Sequence, residues 1–212
     1  MRTTRLLLGM ALGASLAAGP SQAAAPKAPT RCDAVKGDTL DRRAVTVGAT
    51  SVRLRLLVQG DRDQRVSLCR DTAKGARLTR LSRIWTDGGT FTEFIADGGI
   101  AGDGGVVLQG VSLSDADPAT TFWEAFSPRG VRTAMTRTEA GATGRQPLLM
   151  TDGGGYAYTT AAGELHGVDA RGDQVLGAGP VSDVATSGDR VYWWNGSAAI
   201  TATLSGRPLL AG

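Results

Sequence analysis

Few residues of this chain suit acid–base or metal chemistry, and they are scattered. His166 is the one histidine, and Cys32 and Cys69 are the only cysteines. A Ser-His-Asp or Cys-His site needs a histidine base or a substitute for it. The chain has no Gly-x-Ser-x-Gly elbow, no His-Glu-x-x-His and no P-loop. His166 falls at an ordinary strand position and reads as a surface or half-buried strand residue. Zinc and iron sites need several His or Cys ligands, so no metal and no cofactor is expected. Calcium would have to come from Asp97 with Asp103, or Asp115 with Asp117. Neither loop has the EF-hand or nonapeptide spacing, and Asp-Gly pairs are common turn chemistry. Acid–base cleavage of a glycan would need two placed carboxylates, such as Glu93 with Glu124 or Asp183. Acids are plentiful and nothing singles out two.

The charged residues are more informative in their distribution than in their sum. Residues 26–83 hold 14 basic and 6 acidic residues, and residues 84–212 hold 7 and 14. A basic first third joined to an acidic remainder admits two readings. The two parts meet in the fold and neutralise each other, or the basic part faces an external anion. Arg53, Arg55, Arg65, Arg77, Arg80 and Arg83 are the candidate binding residues. The partner would be an anionic cell-envelope polymer or an acidic protein. Nucleic acid is not expected, because the basic excess of the whole chain belongs partly to its first residues. The spacing of Arg77, Arg80 and Arg83 fits a short helix or a strand, and the preceding Gly75 favours a strand.

The frame that must position these groups starts with residues 1–25, which read as a secretory signal peptide. Arg2 and Arg5 precede an apolar run from Leu6 to Ala18, and Ser21-Gln22-Ala23 or Ala23-Ala24-Ala25 offers a small-x-small cleavage site. The run is short for a permanent membrane anchor. An exported chain with two cysteines predicts a structural Cys32–Cys69 disulfide, tying the N-terminal segment to the first strand pair.

Residues 26–212 read as a single all-β domain. Val52-Arg53-Leu54-Arg55-Leu56 alternates with period two, the mark of a strand with one buried face. Short strands broken by Gly/Asp turns form units at approximately 33–83, 90–138, 146–178 and 181–212. In the second unit, strands are expected at Phe91–Ala96, Val106–Leu113 and Thr121–Phe126, with a flexible loop at 97–105. Residues 139–146 read as a linker. Sliding the chain by about 34 residues brings Gly154 onto Gly188, Tyr158 onto Tyr192 and Gly172 onto Gly206. A repeated four-strand meander is the signature of a propeller blade. The expected fold is a propeller-like array of three to four antiparallel β-meander blades, with a β-sandwich as the alternative. The aromatic run Tyr192-Trp193-Trp194 would then be core on both of its faces. A partial array could complete itself as a homo-oligomer.

The leader, the early cysteine pair, the preference for Arg over Lys and the run Gly188-Asp189-Arg190-Val191-Tyr192-Trp193 resemble secreted β-propeller-type proteins of high-GC Gram-positive bacteria. The run is similar to the second-strand motif of TolB-like and WD40-like repeats. The resemblance spans about residues 33–210 and implies a fold and an extracytoplasmic location, without an activity. The chain holds fewer units than is usual there, so a closed ring is not implied. The expected function is a non-enzymatic binding or scaffold protein. The competing class is a glycan-active hydrolase or lyase working through loop carboxylates.

Overall fold

The computed structural model describes residues 31–47, 49–85, 91–115, 118–139 and 147–209. The leader at 1–25, Asp117 and nearly all of the linker at 139–146 lie outside the described residues. Within them the structure is β throughout, apart from one 3-10 turn at Cys32–Ala34. The first sheet contains β1 (Asp38–Val47), β2 (Thr50–Gln59), β3 (Asp63–Thr72) and β4 (Gly75–Trp85). The second contains β5 (Phe91–Ile100), β6 (Val106–Ser114), β7 (Thr120–Phe126) and β8 (Arg132–Glu139). The third contains β9 (Leu149–Met150), β10 (Tyr156–Thr159), β11 (Leu165–Asp169) and β12 (Gly172–Gly177). The fourth contains β13 (Ser182–Ser187), β14 (Arg190–Asn195) and β15 (Ala198–Thr203). Each sheet is an antiparallel meander in sequence order, and none is closed.

Period-two alternation dictates how the sheets stack. Leu54 and Leu56 of β2 point one way and join Ile100, Leu108, Phe122 and Phe126 of the second sheet in one core. Val107, Trp123 and Ala125 leave the second sheet on its other face and meet Tyr156, Tyr158 and Val168 of the third. Ala157 and Leu165 leave the third sheet opposite those tyrosines and meet Val191, Trp193 and Leu204. Strand β6 is buried on both faces from Val106 to Ser112, which explains why apolar residues occupy both of its faces, Val106 and Leu108 on one and Val107 and Val111 on the other.

Three sequence expectations are corrected. Residues 97–100 belong to β5, and the loop shrinks to a tight turn. Ala101 N–H donates to Gly105 O at 2.8 Å and Gly104 N–H to Ala101 O at 2.9 Å, with Gly104 at φ +86°. Thr151–Gly155 repeats this turn, with Gly154 also at +86°. The glycines at 98 and 99 serve close approach rather than flexibility. A Cβ on Gly98 would lie 2.8 Å from Leu56 Cδ2, and one on Gly99 2.7 Å from Met150 Cε.

The second correction concerns the aromatic strand. Only alternate residues of β14 are core: Val191 and Trp193 are buried, whereas Tyr192 and Trp194 are 39% and 44% exposed. The third follows from it. Pairing Tyr158 with Tyr192 matches a residue packed toward the preceding sheet with one facing solvent. A slip of one residue exchanges the faces of a strand, and Val191 and Trp193 are the positions of β14 that face the sheet before them.

Candidate functional site

The first sheet gathers the six candidate arginines, and their environments fall into three kinds. Arg55 is structural. It projects from β2 on the face away from the second sheet, where residues 31–37 cover it, and it is 7% exposed. Its guanidinium donates to Cys32 O and Val35 O at 2.8 Å, to Gly37 O at 2.7 Å and to Thr39 Oγ1 at 2.8 Å. A short segment without ladder partners leaves carbonyls that need donors, and one arginine fork supplies three of them. The Cys32–Cys69 disulfide closes the same contact, with Cα atoms 5.7 Å apart, and buries both sulfurs beside Leu57. It joins the N-terminal segment to β3.

Arg65 and Arg83 stand directly opposite each other on β3 and β4. Asp63 bridges them. Its Oδ1 accepts from Arg83 Nε at 2.7 Å, and its Oδ2 from Arg65 Nη2 at 2.8 Å and Arg83 Nη2 at 3.0 Å. The hydrogen bonds from Arg83 and then Arg65 hold the Asp63 carboxyl down at about 2.

Arg53, Arg77 and Arg80 are exposed and have no carboxylate partner among the described residues. Arg70, absent from the sequence candidates, is half-buried and likewise has no carboxylate partner among the described residues. A groove of about 630 Å³ lies at one end of the first sheet, where β2 begins and β3 ends, lined by Arg31, Arg53 and Arg70 together with Asp33 and Asp71. Both acids are already engaged. Asp33 pairs with Arg42 at 3.0 Å, and Asp71 Oδ1 accepts the Cys32 amide at 2.8 Å. Among the described residues, Arg43 is the one arginine of the first sheet in an ion pair with the acidic part of the chain, at Asp152 Oδ1, 2.6 Å away. The sequence carried no sign of Arg70, because its importance depends on the register that sets it opposite Arg77.

The remaining candidates are not assembled for chemistry. Glu93 and Glu124 lie on β5 and β7 with β6 between them, four rungs apart along the ladder. That places them ~14 Å apart along the strands and ~10 Å across them, beyond the reach of a glycosidase pair. Each already binds an arginine at 2.8 Å, Arg137 for Glu93 and Arg132 for Glu124. Asp183 is exposed on β13 in the fourth sheet. Asp97 Oδ1 caps the Gly98 amide, and Asp103 Oδ1 caps the Gly105 amide. The described residues hold no cluster of three or more groups suited to a metal ion.

His166 is a half-buried strand residue. Its Nδ1 lies 2.9 Å from Asp173 Oδ1, whose other oxygen accepts the Tyr158 hydroxyl at 2.6 Å. Burial, and then the bond to Asp173, pushes the Tyr158 phenol up, so it stays protonated. The group ties β10, β11 and β12 together, and its ring contacts continue through Tyr158 to Trp123. No helix of the described residues is long and apolar enough to cross a membrane. No family model, curated protein or solved structure matches the chain.

Proposed function

We propose that this chain is an exported, non-enzymatic binding or scaffold module that docks on an anionic polymer of the cell envelope through its first sheet. The four meanders form a propeller-like array, of the kind found in the TolB-like and WD40-like repeat proteins that the sequence resembles. The observation that carries the functional reading is the set of arginines left without counterions on one sheet. Arg53, Arg70, Arg77 and Arg80 have no carboxylate partner among the described residues, although the rest of the chain is rich in acids. Mutual neutralisation of the two charge blocks would have used them up. Guanidinium groups held along a rigid sheet attract a polyanion at long range and are screened by salt. The buried disulfide suits an oxidising compartment.

Sedimentation of the protein with isolated envelope at low and high salt tests the reading, with Arg53→Glu/Arg80→Glu as the comparison. Binding that weakens with salt and is lost in the variant is the expected result. Salt-independent binding, or a variant that binds as well as the parent, overturns it.

A further inference from the structure

The β3–β4 ladder contains two arginine pairs, and only one of them is neutralised. Arg65 faces Arg83, and Arg70 faces Arg77. Like charges directly opposed across strands destabilise a sheet. For the first pair the chain supplies its own remedy, the Asp63 carboxylate between the two guanidinium groups. The second pair has no such bridge among the described residues.

A third cation comes from another sheet. The β7–β8 turn carries Arg129, and Gly130 beside it fits so tightly against Thr79 of β4 that a Cβ there would overlap the Thr79 Cγ2. Arg70, Arg77 and Arg129 thus line one cavity of about 590 Å³ between the first and second sheets. Arg77 and Arg129 are exposed and Arg70 is half-buried. Asp103 is also in its wall, but its Oδ1 accepts the Gly105 amide at 2.8 Å and its Oδ2 is held by Arg207.

We propose that Arg70, Arg77 and Arg129 form a binding site for a phosphate group, free or carried as a diester on a larger molecule. Asp63 shows what satisfies one arginine pair of this ladder: two oxygens of a single carboxylate. Three guanidinium groups around one space call for more acceptor oxygens and more charge. Phosphate provides both and matches the planar fork of arginine. A cavity of this size admits the phosphate with part of its carrier. The site rests on the proposed function for the sign of its ligand. It adds Arg129, which lies outside the docking sheet.

The test is calorimetric titration of the full chain with inorganic phosphate, with glycerol phosphodiester and with acetate. The titrations are repeated for Arg129→Gln and Arg77→Gln, with thermal melts as the folding check. Arg129 sits on an exposed turn, so its variant should melt as the parent does. Phosphate or diester binding that exceeds acetate binding and weakens at least tenfold in Arg129→Gln supports the site. Of the two phosphate ligands, the one that binds identifies the source. Equal binding of phosphate and acetate, no binding of either phosphate ligand, or an Arg129→Gln variant that binds as the parent overturns it. Loss of envelope binding in Arg53→Glu/Arg80→Glu with unchanged phosphate binding there keeps both proposals. Envelope binding without a phosphate site removes only this one, and phosphate binding without envelope binding removes only the docking function.

Discussion

The Asp169 carboxylate accepts the Ser205 amide at 2.6 Å, joining the end of β11 to the chain beyond β15. It is fully buried and also takes Arg171 N–H at 2.8 Å, Arg171 Nη2 at 2.6 Å and Gln174 Nε2 at 3.1 Å. Arg171 then reaches Thr203 O at 2.9 Å. One acid therefore clamps the third sheet to the last strand of the fourth.

Replacing Asp169 with Asn keeps the shape but sets an amide N–H₂ against donors, which should cost about 2–3 kcal/mol. The effect is tied to pH. Burial pushes the Asp169 carboxyl up, but the hydrogen bonds from Arg171 and Ser205 outweigh it and hold the group below its ordinary value. A carboxyl lowered on folding stabilises the fold above its unfolded value of about 3.9, and the contribution fades as pH falls below that. The difference in urea midpoint between parent and Asp169→Asn should be level from about pH 5 to 8 and shrink below about pH 4. A difference that persists unchanged into strong acid would remove the clamp from the account.

Arg55 and the disulfide hold the same segment, so their contributions should not add. The 37-residue separation of Cys32 and Cys69 gives about 4 kcal/mol from chain entropy. Arg55→Ala strands three carbonyls at the segment's edge and should cost about 2–3 kcal/mol. Once Cys32→Ser/Cys69→Ser frees residues 31–37, those carbonyls turn to water and Arg55→Ala should cost clearly less. Denaturant melts of the four proteins measure the coupling. Full additivity would mean that Arg55 acts on the sheet and not on the segment.

The all-β character, most strand positions and the cysteine pairing were legible because they depend on local alternation and on counting. The Gly98-Gly99 pair was not. A glycine that permits a turn and one that admits a neighbouring side chain look identical in sequence, and only Leu56 and Met150 in their places tell them apart. The candidate site was half legible. Arginine content marked the first sheet, but alternation alone did not show that Arg55 would turn under the N-terminal segment. Nor did it show that Asp63 would serve Arg65 and Arg83 while Arg70 and Arg77 stayed unbridged. Those distinctions depend on register between strands, which pattern within a strand does not carry.

Adjacent tryptophans give a sharp test of the fourth sheet. Trp193 is 3% exposed in the core shared with Leu165 and Leu204, and Trp194 is 44% exposed on the opposite face. Trp193→Ala should cost about 3–5 kcal/mol. Trp194→Ser should change stability by about 0.5 kcal/mol or less, and acrylamide quenching of fluorescence should drop with Trp194 alone. The reverse ranking would flip the register of β14.

Gly110 and Phe122 are direct partners in the β6–β7 ladder, and the Phe122 ring lies over the glycine where a Cβ would be. The Arg137 guanidinium lies over the same ring, 5.5 Å from its centroid. The glycine here is neither turn nor hinge; its missing side chain is the space that the ring fills. Gly110→Ala should therefore destabilise the fold by about 1–3 kcal/mol through overpacking, although alanine suits a strand better than glycine. If the ring is the obstacle, Phe122→Leu should recover part of that loss when combined with Gly110→Ala, while costing stability on its own. Chemical melts of the pair and both single variants give the interaction term directly. A double variant whose loss equals the sum of the two single losses would show that Gly110 is needed for its backbone rather than for the ring above it.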